Sequence, residues 1–181
     1  MNPQEARKIL AEADLICPAE KSALAVRRVA GEITARLAAT NPLLLAVMGG
    51  AVVFAGQLLP QLAFPLDFDY LHVSRYGDAT SGGRLSWVVE PRSDVAGRVV
   101  LVVDDILDEG VTLAEIRKRL LAQGAAEVLT AVFADKNLGR AKPIVSDFIG
   151  IELPNRYVFG FGMDIRGAWR NLPAVYAVKD M

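Results

Sequence analysis

The apolar residues of this chain cluster in short continuous runs instead of alternating with polar ones. Leu43–Val47, Val99–Val103 and Val128–Phe133 are almost wholly apolar. Runs of that length predict strands covered on both faces. Between them the spacing changes. Leu24, Val26, Val29, Ile33 and Leu37 recur as one face of a helix that follows Pro18, at the N1 position, and stops at Asn41-Pro42. The first forty residues read as helical throughout. Gly49-Gly50 reads as a turn, Ala51–Leu62 as a helix and Thr112–Ala122 as another. Phe68–Tyr76 and Leu85–Val89 predict a β-ribbon whose tip, Gly77–Gly83, has the composition of a mobile loop. Phe148–Ile151, Tyr157–Phe161 and Ala174–Val178 are shorter strands in a tail punctuated by Gly and Pro. Strand and helix alternate through the middle, which predicts an α/β fold with a mainly parallel central sheet flanked by helices.

Composition narrows the picture. The 181 residues fit one domain, and no linker divides them. With 52% hydrophobic and 23% charged residues the chain is globular. A formal net charge of -1 argues against a dedicated nucleic-acid binder. Cys17 is the only cysteine and His72 the only histidine, so neither a disulfide nor a structural zinc site is expected. No apolar stretch is long enough for a membrane span and no signal peptide is recognisable, so a cytoplasmic protein is expected, with no membrane partner.

The segment Val99-Val100-Leu101-Val102-Val103-Asp104-Asp105-Ile106-Leu107-Asp108-Glu109-Gly110-Val111-Thr112-Leu113 carries the chemistry. In open α/β sheets ligands bind beyond the carboxyl ends of the strands, so these acidic residues face a site. The following loop opens a helix, whose free N–H groups and dipole favour a phosphate, with the Thr112 hydroxyl as a further donor. Adjacent carboxylates beside a phosphate cradle make sense around a ribose. Asp104 and Asp105 can accept hydrogen bonds from vicinal hydroxyls and can help hold Mg²⁺. The plainer alternative is helix capping, but one acid suffices for that. The dinucleotide and Walker glycine motifs are both absent.

This run resembles the phosphoribosyl pyrophosphate (PRPP) signature of type I phosphoribosyltransferases. The resemblance extends from about Leu43 to Val178 and narrows to the hypoxanthine-guanine branch. Val47-Met48-Gly49-Gly50 is similar to the family's pyrophosphate loop, where a non-proline cis peptide is expected between Val47 and Met48. Arg75-Tyr76 and the glycine-rich run after them resemble a lid. Lys136, Tyr157-Val158, Asp164 and Arg170 fall where the family places its base, second-metal and pyrophosphate contacts.

The resemblance implies a purine-salvage enzyme that takes PRPP and a 6-oxopurine, requires Mg²⁺ and forms a homodimer or homotetramer. It implies a core at about 40–135 with a small hood built from the N- and C-terminal segments. Asp104 and Asp105 would hold ribose and metal, and Asp108 would be the general acid/base near purine N7. Glu109, Gly110, Val111 and Thr112 would cradle the 5′-phosphate. Met48, Gly49 and Arg170 would contact pyrophosphate, with Arg75 and Tyr76 on the lid. Lys136 would read the 6-oxo group, Tyr157 would stack on the base beside Val158, and Asp164 would bind a second Mg²⁺. Three residues depart from the commoner pattern: Met48 for lysine, Arg75 for serine, and Glu109 for a small residue. Taken singly, Lys136 also reads as a surface lysine, Tyr157 as a strand aromatic, Arg170 as an ion-pair partner and His72 as structural. Two alternatives remain: a phosphoribosyltransferase for xanthine or a pyrimidine, and a non-catalytic nucleotide-sensing regulator on the same fold.

Overall fold

The computed structural model describes residues 1–76 and 84–179, without the side chains of 75, 76 and 84. The expected lid at Gly77–Gly83 lies outside the described residues. Helix α1 (Pro3–Glu12) is closed by a reciprocal cap in which Asn2 Oδ1 accepts from the Glu5 N–H and Glu5 Oε2 accepts from the Asn2 N–H. The expectation of helix throughout the first forty residues fails next, because Asp14–Cys17 is a strand, β1. Helix α2 (Ala19–Leu37) follows, with Pro18 as its N-cap and not its first turn. Val26, Val29, Ile33 and Leu37 of its predicted stripe are fully buried, but Leu24 is exposed, since it lies off the face that packs on the sheet.

Strand β2 (Leu43–Met48) leads into α3 (Val52–Leu58), which tightens into a 3-10 turn at Leu59–Gln61 and is shorter than predicted. Pro60 has no amide hydrogen to continue the α-helical ladder. Then come β3 (Asp67–Tyr76), β4 (Arg84–Val89), β5 (Val99–Leu107), α4 (Val111–Ala122), β6 (Glu127–Lys136) and β7 (Phe148–Leu153). The six strands form one sheet in the order β4-β3-β2-β5-β6-β7, all parallel except β4.

The continuous apolar runs are explained by cover on both faces. Leu44, Ala46, Leu101, Val103 and Ala131 pack with residues of α2 and α3. Leu43, Leu45, Val100, Val102 and Val132 pack with Leu113, Ile116 and Leu120 of α4. Strands β8 (Val158–Phe159) and β9 (Val175–Ala177) are shorter than expected and join β1 in a separate antiparallel sheet, ordered β1-β9-β8. Phe161 ties the segment after β8 to the main sheet. Its ring stacks on Phe133 of β6 at a centroid distance of 3.8 Å. No helix among the described residues is long and apolar enough to cross a membrane.

Candidate functional site

Strand β5 runs four residues further than its apolar core predicts, so Asp104 and Asp105 lie within it. The register explains this: Asp104 faces Val132 of β6 and Ile106 faces Ala134, so the ladder continues past the apolar run. Both carboxylates are consequently buried. Asp104 Oδ1 accepts from the Asp105 N–H at 2.9 Å, and Asp105 Oδ1 from the Ile106 N–H at 2.8 Å. Burial, and next the neighbouring charge of Asp105, push Asp104 well above the usual carboxylate range. Burial also raises Asp105, against the opposing hydrogen bond from Asp104 and the charge of Arg170.

The Asp105 carboxylate is seated on the turn after β2. A Cβ on Gly50 would lie 2.2 Å from Asp105 Oδ2, and one on Gly162 would lie 2.2 Å from the Gly50 carbonyl oxygen. Gly162 also has φ +100°, which L side chains rarely adopt. Two glycines therefore let the β2 turn, the β5 carboxylate and the segment after β8 meet. Met48 ends β2, and the cis peptide is Met48–Gly49, one bond later than expected.

Arg170 closes this side. Its Nη1 donates to the Gly162 carbonyl at 2.7 Å and lies 3.9 Å from Asp105 Oδ2, while Nη2 meets Asp164 Oδ1 at 2.5 Å. Asp164 Oδ2 also accepts from the Gly167 N–H at 2.6 Å. The guanidinium thus supplies a cation between two carboxylates that stem from different parts of the chain.

Beyond the end of β5, Lys136 Nζ donates to Asp108 Oδ2 at 2.7 Å, with the lysine side chain only 12% exposed. This is not the solvated surface lysine that its isolated position allows. The pair borders a cavity of about 210 Å³ that also meets Asp105, Ile106, Tyr157, Val158, Met163 and Asp164. Tyr157 is 44% exposed and Val158 is buried. A second cavity of about 220 Å³ adjoins it through Asp105, Ile106 and Asp108, and extends over Asp104, Glu109, Gly110 and Thr112. Gly110 caps α4 at φ 81°, which turns the chain into the helix, and Val111 stands exposed at the first helical position. The Glu109 carboxylate is taken up by Arg140 at 3.0 Å.

The structure therefore brings Asp104, Asp105, Asp108, Glu109, Gly110, Thr112, Lys136, Tyr157, Val158 and Asp164 around two joined cavities, with Arg170 ion-paired to Asp105 and Asp164 at their edge. Arg75 and Tyr76 end β3, where they pair with Leu85 and Arg84. Gly162, Arg140 and Lys142 also take part, though no motif in the sequence singles them out. The close spacing of Lys136, Arg140 and Lys142 is the one sequence feature that points to the last two.

Among the described residues no three His, Cys, Asp or Glu side chains converge as a metal cage. Oxygen-only donors separated by a guanidinium fit an ion such as Mg²⁺, which keeps most of its shell as water and substrate phosphate.

A family model described as the phosphoribosyl transferase domain matches residues 13–166. The hypoxanthine-guanine-xanthine phosphoribosyltransferase of Tritrichomonas foetus is 34% identical over 86% of this chain and 85% of its own. The hypoxanthine-guanine phosphoribosyltransferase of Streptococcus pneumoniae (strain ATCC BAA-255 / R6) is 31% identical over 99% of this chain and 97% of its own. A crystal structure of a hypoxanthine phosphoribosyltransferase from Staphylococcus aureus superposes with a TM-score of 0.89, covering 95% of both chains at 23% identity, a likeness of fold. A mainly parallel sheet carrying its acids at the end of β5, a cavity over the start of α4 and this degree of kinship agree: the chain belongs to the phosphoribosyl transferase family, in its hypoxanthine-guanine branch.

Proposed function

We propose that this protein transfers the 5-phosphoribosyl group of PRPP to hypoxanthine or guanine, giving the nucleoside 5′-monophosphate and pyrophosphate. The observation that carries this reading is the Lys136–Asp108 pair, held at 2.7 Å with Lys136 on the first cavity and Asp108 on both. A lysine ammonium has three donors, so one can hold Asp108 while another reaches a purine 6-oxo group. Tyr157 offers an aromatic face and Val158 an adjacent backbone edge to the same base. Asp108 takes the N7 proton as N9 attacks ribose C1 and the bond to pyrophosphate breaks. Asp104 and Asp105 accept from the ribose hydroxyls, and residues 109–112 receive the 5′-phosphate at the start of α4. Met48 and Gly49 offer backbone groups to pyrophosphate, and Arg170 leaves Asp164 for the departing charge.

Asp104, Asp105 and Asp164 are the residues that would hold Mg²⁺. When bound, the ion neutralises charge developing on the leaving group. Arg75 and Tyr76 would sit on a lid that excludes water from the reacting centre. The same reading expects a cytoplasmic homodimer or homotetramer.

The test is a spectrophotometric assay with PRPP and Mg²⁺, offering guanine, hypoxanthine, xanthine, adenine and uracil separately. Turnover of guanine or hypoxanthine that stops on chelation supports the reading. Turnover of xanthine or uracil alone moves the base assignment. Folded protein inert towards all five overturns the reading and favours a regulator.

A further inference from the structure

We infer that the connection 137–147 between β6 and β7 is a brace for base recognition, with Lys142 as its positioning residue. This rests on the function proposed above. Leu107, the last residue of β5, lies opposite Asp135 of β6, and the residue that follows each in the chain is a member of the Asp108–Lys136 pair. Lys142 bridges the two strands at that level. Its Nζ donates to the Leu107 carbonyl at 2.7 Å and pairs with the Asp135 carboxylate. Its side chain is only 10% exposed, so the contact is shielded from water and competes weakly with solvent. The Leu107 carbonyl belongs to the peptide unit that carries the Asp108 nitrogen. Fixing that carbonyl fixes the plane from which Asp108 projects.

The same connection grips the other side of Asp108. Arg140 holds the Glu109 carboxylate at 3.0 Å. Ile144 and Pro143 lie against Gly110, where a Cβ would come within 3.2 Å and 3.4 Å of them. Lys136, Arg140 and Lys142 therefore hold three consecutive residues, Asp108, Glu109 and Leu107. Pro143 restricts Lys142 to extended backbone, which limits how far the ammonium can wander. Leu107, Glu109 and Gly110 also line the cavity over Asp104 and Thr112, but Lys142 alone of the three cations reaches both strands behind the Asp108–Lys136 pair. The Lys142 contact therefore acts first on the base-facing pair and only through Leu107 on the phosphate cavity.

The experiment is steady-state kinetics of the full chain carrying Lys142→Met, varying guanine and PRPP separately, with circular dichroism to establish folding. A misplacement of about 1 Å in a reacting group can cost ~100-fold. The expected result is a loss of about 10- to 100-fold in kcat/KM for guanine, with a raised guanine KM and a clearly smaller change in the PRPP KM. Asp135→Asn keeps an acceptor for Lys142 and should show a smaller loss in the same parameter. It carries the test if Lys142→Met does not fold. Unchanged guanine kinetics, or equal losses for both substrates, overturn the inference. Amide hydrogen exchange on the same variants gives a reading that needs no turnover. Protection lost only in 105–111 and 135–143 supports the brace, whereas unchanged or general loss overturns it. Wild-type protein inert towards every base removes the proposed function, and exchange alone then decides on the brace.

Discussion

Replacing Gly50 by alanine tests how closely the β2 turn and the β5 carboxylate are matched. The new Cβ would stand 2.2 Å from Asp105 Oδ2, 2.5 Å from its Cγ and 2.7 Å from its Oδ1. Real Cβ contacts essentially never fall below 3.0 Å, so the carboxylate or the turn must retreat by about 0.8 Å. The carboxylate has little room, because the Ile106 amide holds Oδ1 and Asp104 precedes it in the same buried strand. Overpacking of this kind typically costs about 1–3 kcal/mol. In a domain of this size each kcal/mol lowers Tm by about 2–4 °C, so a drop of about 2–12 °C is expected. The proposed ribose site moves by the same distance, which predicts a fall of about 10- to 100-fold in kcat/KM for PRPP. Gly49→Ala is the matched control for Tm, since nothing lies within 4 Å of its added Cβ. Differential scanning fluorimetry and PRPP kinetics read both effects. If Gly50→Ala matches Gly49→Ala in Tm and wild type in PRPP kinetics, the carboxylate is not seated as described.

Two further predictions follow from charge. Asp104 is raised above its ordinary value of 3.8, so unfolded chains ionise there before the native state does. The native state is favoured below that value and loses stability as pH climbs through the raised one. Asp104→Asn removes this penalty, so its Tm advantage over wild type should be near zero at pH 4 and grow towards pH 8; an advantage independent of pH refutes the assignment. Glu109→Thr releases Arg140 from its 3.0 Å ion pair and removes a carboxylate from the proposed phosphate cradle. The KM for PRPP should fall about three- to tenfold, on the scale of ~1 kcal/mol for an exposed charge. A raised KM would mean that Glu109 holds the loop in its working shape.

Much of this arrangement is legible in the sequence because strand, acids and helix are consecutive. Val99–Thr112 carries its own pattern, and the order of apolar run, carboxylates and helix start survives folding. What could not be read is non-local. Strand β1 is too short and too exposed at Asp14 and Leu15 to announce itself, and it exists because β9 pairs with it. The four extra residues of β5 are stabilised by β6 across the ladder, while acidic residues at the end of an apolar run look like a strand's end. Lys142 resembles any loop lysine until the Leu107 carbonyl and Asp135 are seen beside it. Gly162 reads as one glycine among many until Gly50 is placed 2.2 Å from its absent side chain.

The pairing of β1 with β9 also sets an order of events. Asp14 lies opposite Ala177, while β8, which follows Tyr157, reaches the smaller sheet only through β9. On a growing chain the six-stranded sheet has all its strands once Leu153 has emerged. The wall that carries Val158 still lacks its central strand at that stage. Contacts between such distant residues demand a large loop closure, which makes them slow to form. A nascent protein therefore passes through a stage with its acidic strand in register and one side of the site open to solvent. During that interval β1 leaves a strand edge unpaired, where another chain can dock until residues 175–177 arrive.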